Sequence, residues 1–150
     1  MLFSDAALIY DYFTQSTDID ANNIVLIAHS LGTGIAIHLA SQRSVKGILL
    51  SAPYDKYTAG VIQDKLPLLP IKQLISEEYD SISIAPRLQV PVLFLLAEND
   101  RTIRRSRSMR LFRQWGGKAD MAVIKGTHHE NITFNELTWR KINEFLDGID

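Results

Sequence analysis

Ser30, Asp100 and the adjacent pair His128 and His129 are the residues of this sequence whose types and order could together perform nucleophilic chemistry. A serine hydroxyl attacks poorly until a base takes its proton, and the base in turn needs an acid to fix its tautomer. Ser30 stands in "AHSLGTG", between the apolar runs "NIVLI" and "IAIHLA". Ala28 and Gly32 flank it at a spacing of two, as a tight strand-to-helix turn that pushes a hydroxyl outward requires. The Leu31 N–H, at the start of the following helix, is the backbone donor such a turn would aim at an oxyanion. Asp100 closes "LFLLAEND" and the histidines follow "MAVIKGT", so Ser, Asp and His each come directly after a strand-like run.

Competing readings of the same residues are weaker. "GTG" after a strand would also suit a phosphate turn, but position 37 is isoleucine rather than glycine, and "GILLSAP" ends with no acid to hold a ribose before Asp55. Asp55, just past the second strand, is an alternative orienting acid. His129 and Glu130 lack a histidine at helical spacing and a third ligand, so a metal site is not expected. His29 and His38 read as packing or surface residues. Arg101, Arg104, Arg105, Arg107, Arg110 and Arg113 read as a solvated helix face, with anionic docking near the pocket mouth as the sharper alternative.

The elements that must position these residues are legible from periodicity. "FSDAALIYDYF" has apolar residues at helical spacing. "ANNIVLIAHS", "VKGILLSAP", "VPVLFLLAEND" and "KADMAVIKG" read as short buried strands, separated by the helical patterns "LGTGIAIHLASQR" and "IRRSRSMRLFRQWGG". "NITFNELTWRKINEFLDG" is the last helix. Strands alternating with helices predict an α/β fold, a parallel sheet of about four strands flanked by helices, in one domain over 1–150. Residues 54–89 break the rhythm, with Pro67, Pro70 and Pro86 in a segment too long for a plain connection, and read as a short helical cap or lid.

From "DAALIYDYF" to the end, the sequence resembles the second half of an α/β-hydrolase, similar to compact abhydrolase-type serine hydrolases. "IVLIAHSLGTGIAIHLA", "VPVLFLLAENDRTI" and "IKGTHHE" carry the match. The resemblance implies hydrolysis of an ester, thioester or amide through a Ser30, His128, Asp100 triad, with no cofactor. His128 is favoured over His129 because it stands two residues after Gly126, as in the family's Gly-x-His pattern, and "DRTI" resembles the family's acid loop. The family carries several strands before the elbow, one of which leads to a loop giving a second oxyanion N–H. Here one helix precedes the elbow strand, so a shortened hydrolase sheet is expected, with Leu31 the nameable donor. Ile24 to Ile27 would then form an apolar sheet edge that invites a second copy or a complementing chain. The alternative is a hydrolase-like fragment or scaffold without turnover.

Composition agrees with a small-molecule acyl substrate. The 150 residues are 46% hydrophobic, enough for one core, and the formal net charge of -1 gives no general pull toward nucleic acid or anionic membrane. No cysteine is present, which excludes thiolate chemistry and carries no mark of an oxidising compartment. The N-terminus lacks a signal-peptide pattern and no run approaches the roughly 18 apolar residues of a span, so a cytoplasmic location is expected.

Overall fold

The computed structural model describes residues 2–16, 19–74 and 79–149. Helix α1 (Leu2–Ser16) leads through a 3-10 turn, Ala21–Asn23, into strand β1 (Val25–His29). Helix α2 (Leu31–Ala40) and strand β2 (Gly47–Ser51) follow. After the segment 54–89 come β3 (Val92–Ala97), α6 (Arg105–Arg113), β4 (Ala119–Ile124) and α7 (Glu136–Asp147). The four strands form one parallel sheet in the order β1-β2-β3-β4.

Strand alternation divides the core in two. Ile48, Leu50, Val92, Phe94 and Leu96 pack against Ile37 of α2 and Leu111 of α6, whereas Leu49, Leu93, Leu95 and Ala97 meet Ile142 and Phe145 of α7. Both faces of β2 and β3 are thus covered, which explains why these strands read as unbroken apolar runs. Truncating fully buried Phe94 to alanine would cost about 3–5 kcal/mol. At the end of the sheet the cover fails: Ile27 of β1 is 62% exposed. Helix α1 is held against α2 by buried Tyr10, whose hydroxyl donates to the Ser44 carbonyl, and by a bidentate Arg43–Asp11 pair at 2.6 and 2.7 Å.

Several helix boundaries differ from the expectation; α2, for one, ends at Ala40 and not at Arg43. The last helix begins at Glu136, not at Asn131, because Asn135 caps it by accepting from the Leu137 N–H, and a 3-10 turn, Ile132–Phe134, precedes it. The arginine-rich helix ends at Arg113, ahead of Gly116 and Gly117. Those glycines let the chain pass the backbone of Pro86 and Gln89, where an added Cβ would lie 2.3 and 2.4 Å from the carbonyl oxygens.

Residues 54–89 fold as a set of short helices that leaves the carboxyl end of β2 and returns on the sheet face between α2 and α6, where Ala85 and Leu88 join the core. A π turn, Tyr57–Ile62, runs into α3 (Gln63–Lys65), followed by α4 (Ile71–Leu74), α5 (Ser81–Ile84) and a 3-10 turn, Ala85–Arg87; residues 75–78 lie outside the described residues. Tyr54 and Val61 form a small core with Ala52 and Ile103. Lys56 pairs with Asp80 at 2.7 Å across the base of the segment. Among the described residues no helix is long and apolar enough to cross a membrane.

Candidate active site

Ser30 occupies the junction of β1 and α2 with φ 51° and ψ −122°, a backbone conformation that costs a non-glycine residue about 1–3 kcal/mol. Several bonds impose it. The Ser30 N–H donates to the Ser51 carbonyl of the adjacent strand at 2.9 Å, and the Thr33 N–H and hydroxyl both donate to the Ser30 carbonyl. The small residues at 28 and 32 do face each other, since a Cβ added to Gly32 would lie 3.9 Å from the Ala28 Cβ. The tighter position is Gly34, where an added Cβ would lie 2.2 Å from the Tyr54 hydroxyl oxygen. That hydroxyl donates to the Leu31 carbonyl at 3.1 Å, anchoring the first turn of α2 from below.

Ser30 Oγ lies 2.9 Å from His129 Nε2, and His129 Nδ1 lies 2.8 Å from Asp100 Oδ2. The other Asp100 oxygen accepts from the N–H groups of Thr102 and Ile103, both at 2.8 Å. Burial pushes the Asp100 carboxyl up, but the His129 ring and the Ile103 and Thr102 N–H groups outweigh it and hold the group below the usual carboxylate range. An ionised Asp100 therefore fixes the histidine with Nδ1 protonated, leaving Nε2 to accept from the serine hydroxyl.

The histidine that meets Ser30 is His129, which corrects the expectation of His128. Past Gly126, whose φ is +69°, burial alternates from one residue to the next. Thr127 is buried and donates to the Ile124 carbonyl, His128 is exposed, and His129 is buried again. The His128 N–H donates to Asn131 Oδ1 at 2.7 Å, and its ring stands 3.3 Å from the Asn99 carbonyl. Counting from glycine missed the extra inward step taken by Thr127.

Asp55 belongs to a different network. Its buried carboxylate accepts from Arg107 at 3.3 Å and Arg110 at 2.7 Å, and from the Lys56 N–H. Arg107 also grips Asp64 through two bonds, at 2.9 and 3.0 Å, and donates to the Gly60 carbonyl. Arg104 pairs with Asp64 at 3.5 Å. Three arginines of the supposed solvated face thus tie Asp55 and Asp64 to α6 and its N-cap. The opposite charges at Asp55 and Asp64 were the signal that could have revealed it. His38 packs in a stack on Phe3, with centroids 4.0 Å apart, and His29 lies against the His129 ring at 4.8 Å with Nδ1 3.2 Å from Ser51 Oγ. Among the described residues no cluster of three or more His, Asp or Glu could hold a metal. Beside the site, an apolar groove of about 130 Å³ runs between Ile27, His29, Leu49, Leu95, Trp139 and Ile142.

Residues 11–147 match the sequence profile of a family described as serine hydrolase. A protein of Acanthamoeba polyphaga mimivirus, whose name assigns it to the alpha/beta hydrolases, is 28% identical over 142 residues, covering 93% of this chain and 51% of that protein. An uncharacterized protein of Mycobacterium tuberculosis is 27% identical over 130 residues, covering 87% of this chain and 46% of the relative. The chain spans about half the length of the curated relatives it matches. Among solved structures, an acetyl xylan esterase from Paenibacillus sp. R4 superimposes with a TM-score of 0.76 at 17% identity, over 95% of this chain and 51% of the esterase. A monoacylglycerol lipase of Paleococcus ferrophilus gives 0.70 at 20% identity, over 99% of this chain and 76% of the lipase. The shared fold, the family match across nearly the whole sequence and the elbow geometry at Ser30 agree: this chain belongs to the serine hydrolase family of the α/β-hydrolase superfamily.

Proposed function

We propose that the protein is an acyl hydrolase in which Ser30 is the nucleophile, His129 the general base and Asp100 the orienting acid. The observation that carries this reading is the unbroken hydrogen-bonded chain Ser30–His129–Asp100. His129 Nε2 takes the hydroxyl proton as Oγ attacks the acyl carbonyl, and it returns that proton to the leaving group as the carbon–leaving-group bond breaks. Water then attacks the acyl-enzyme, with the same nitrogen as base, and releases the acid. The Leu31 N–H and the start of α2 would face the oxyanion. The substrate is an ester, thioester or amide of a small or lipid-like acyl group, bound beneath the cap formed by 54–89. No step needs a cofactor. The cysteine-free composition supports a cytoplasmic setting.

Among the described residues no second oxyanion donor can be named beside Leu31, and loss of one donor typically costs about 100-fold to 1000-fold. The exposed Ile27 at the end of the sheet supports a further strand docking along β1, from a second copy or a complementing segment, as the source of that donor. The scaffold reading predicts a Ser30 that nothing activates. A fluorophosphonate probe tests the choice: labelling of the wild-type protein, abolished by Ser30→Ala, is the expected result. An unlabelled, folded wild type would overturn the hydrolase reading for this chain.

A further inference from the structure

The tip of the cap presents leucine to solvent. Leu66, Leu68 and Leu69 are 45%, 96% and 48% exposed, and they stand between Lys65 and Pro70 in a stretch whose six residues are all exposed. Scattered apolar residues on a surface are ordinary, but three within four positions on a protruding turn are not.

The backbone of this turn is organised in an unusual way for a loop in water. One side-chain nitrogen, Gln63 Nε2, shares its two hydrogens among three of the turn's carbonyls, Leu66, Pro67 and Leu69, at 3.1, 3.3 and 3.0 Å. The N–H groups of Leu66, Leu69 and Ile71 donate to the carbonyls of Ile62, Leu66 and Leu69. Pro67 and Pro70 have no N–H to satisfy. Within Leu66–Leu69 only the N–H and carbonyl of Leu68, the most exposed position, have no partner among the described residues; a solvated loop gains little from pairing the rest, because water would serve the same groups. It matters where water is absent and no partner offers hydrogen bonds, which describes the apolar layer of a lipid assembly and not the polar rim of a protein interface.

The charges around the tip fit the same surroundings. No acidic residue occurs from Lys65 to Gln73; at its base Asp64 is held by Arg104 and Arg107, and Lys65 is exposed. An exposed lysine just behind an apolar tip is placed to meet phosphate headgroups while the leucines enter the acyl layer.

We propose that the Leu66–Leu69 turn, with its backbone held by Gln63, is a lipid-surface anchor that seats the cap on a membrane or micelle. The anchor does not depend on Ser30 being reactive, so it stands or falls separately from the hydrolase reading.

Flotation with vesicles of phosphatidylcholine containing a minor share of phosphatidylglycerol tests it. The wild-type protein is expected to float, and Leu68→Asp to bind at least about tenfold more weakly, with an unchanged rate on a water-soluble ester or unchanged fluorophosphonate labelling. Gln63→Ala should weaken flotation severalfold, and Lys65→Glu should weaken it more when phosphatidylglycerol is present than on phosphatidylcholine alone. In Leu68→Trp, vesicles should shift the emission of the new indole to the blue. Failure of the wild type to float, equal binding by Leu68→Asp, or an unshifted Leu68→Trp spectrum would overturn the proposal. A dimer that Leu68→Asp dissociates, without vesicle binding, would also overturn it and assign the turn to a second copy.

Discussion

His129 Nε2 stands 2.9 Å from Ser30 Oγ, although 99 positions separate the two residues and the neighbouring His128 faces away. The pair is brought together by two parallel strand ends, and its sequence neighbours separate the roles sharply. His129→Ala should reduce kcat by roughly 10⁴-fold or more, whereas His128→Ala should stay within a fewfold of wild type. Steady-state hydrolysis of p-nitrophenyl acetate by the two variants decides between them, and the reverse ranking would restore His128 as the base.

Asp100→Asn should keep the fold and lower kcat by roughly 10⁴-fold, because an amide cannot hold His129 in the tautomer that accepts from Ser30. The same residue sets an acid limit on stability. A carboxyl held below its ordinary value contributes stability above about pH 4, and that contribution is lost as pH falls through the folded value. Urea midpoints measured from pH 6 downward should therefore fall less steeply below about pH 4 in Asp100→Asn than in wild type.

His29 gives a second pH window. Burial foremost, and then the His129 ring, hold it below the ordinary imidazole value against the pull of Asp100 and Glu130. The unfolded chain thus takes up a proton before the folded one does, and stability should decline as pH drops below about 6.5. His29→Phe removes this site while keeping a ring against His129. Its stability should depend less on pH in that window, with the half-buried His38, also held low by burial, supplying what dependence is left. Equal slopes in the two proteins would contradict the assignment.

Gly34 and Tyr54 should behave as a coupled pair. Gly34→Ala forces a Cβ against the Tyr54 hydroxyl and should destabilise by about 1–3 kcal/mol, while Gly32→Ala meets only ordinary contact. Adding Tyr54→Phe removes the clashing oxygen, so the double variant should recover part of the loss. Chemical denaturation of the four proteins measures the coupling energy directly.

Arg107→Leu should loosen the cap more than its place in a basic run suggests. It would leave Asp55 buried with Arg110 alone and free Asp64 from its bidentate partner. A loss of roughly 2–3 kcal/mol is expected, less than for a fully buried pair because Asp64 is one-fifth exposed. Limited proteolysis should cut within 57–74 faster in the variant; unchanged cleavage would remove the clamp.

The four strands, the tight turn at Ser30 and the place of Asp100 just past a strand were legible in the sequence because each is marked by an apolar run or its end, and such runs have few foldings. The choice between His128 and His129 was not, since it depends on whether Thr127 turns in or out, a matter of packing against the Ile124 carbonyl. The role of Arg107 was hidden for a similar reason. Its partners lie 43 and 52 positions away, and only tertiary contact distinguishes a clamp from a solvated charge.

The left-handed backbone at Ser30 carries a thermodynamic consequence. Glycine adopts φ 51° without the steric penalty that serine incurs, so Ser30→Gly should leave a protein more stable than the original while removing the hydroxyl. At this one turn folding and chemistry want different residues, and the sequence holds the one that folds less well.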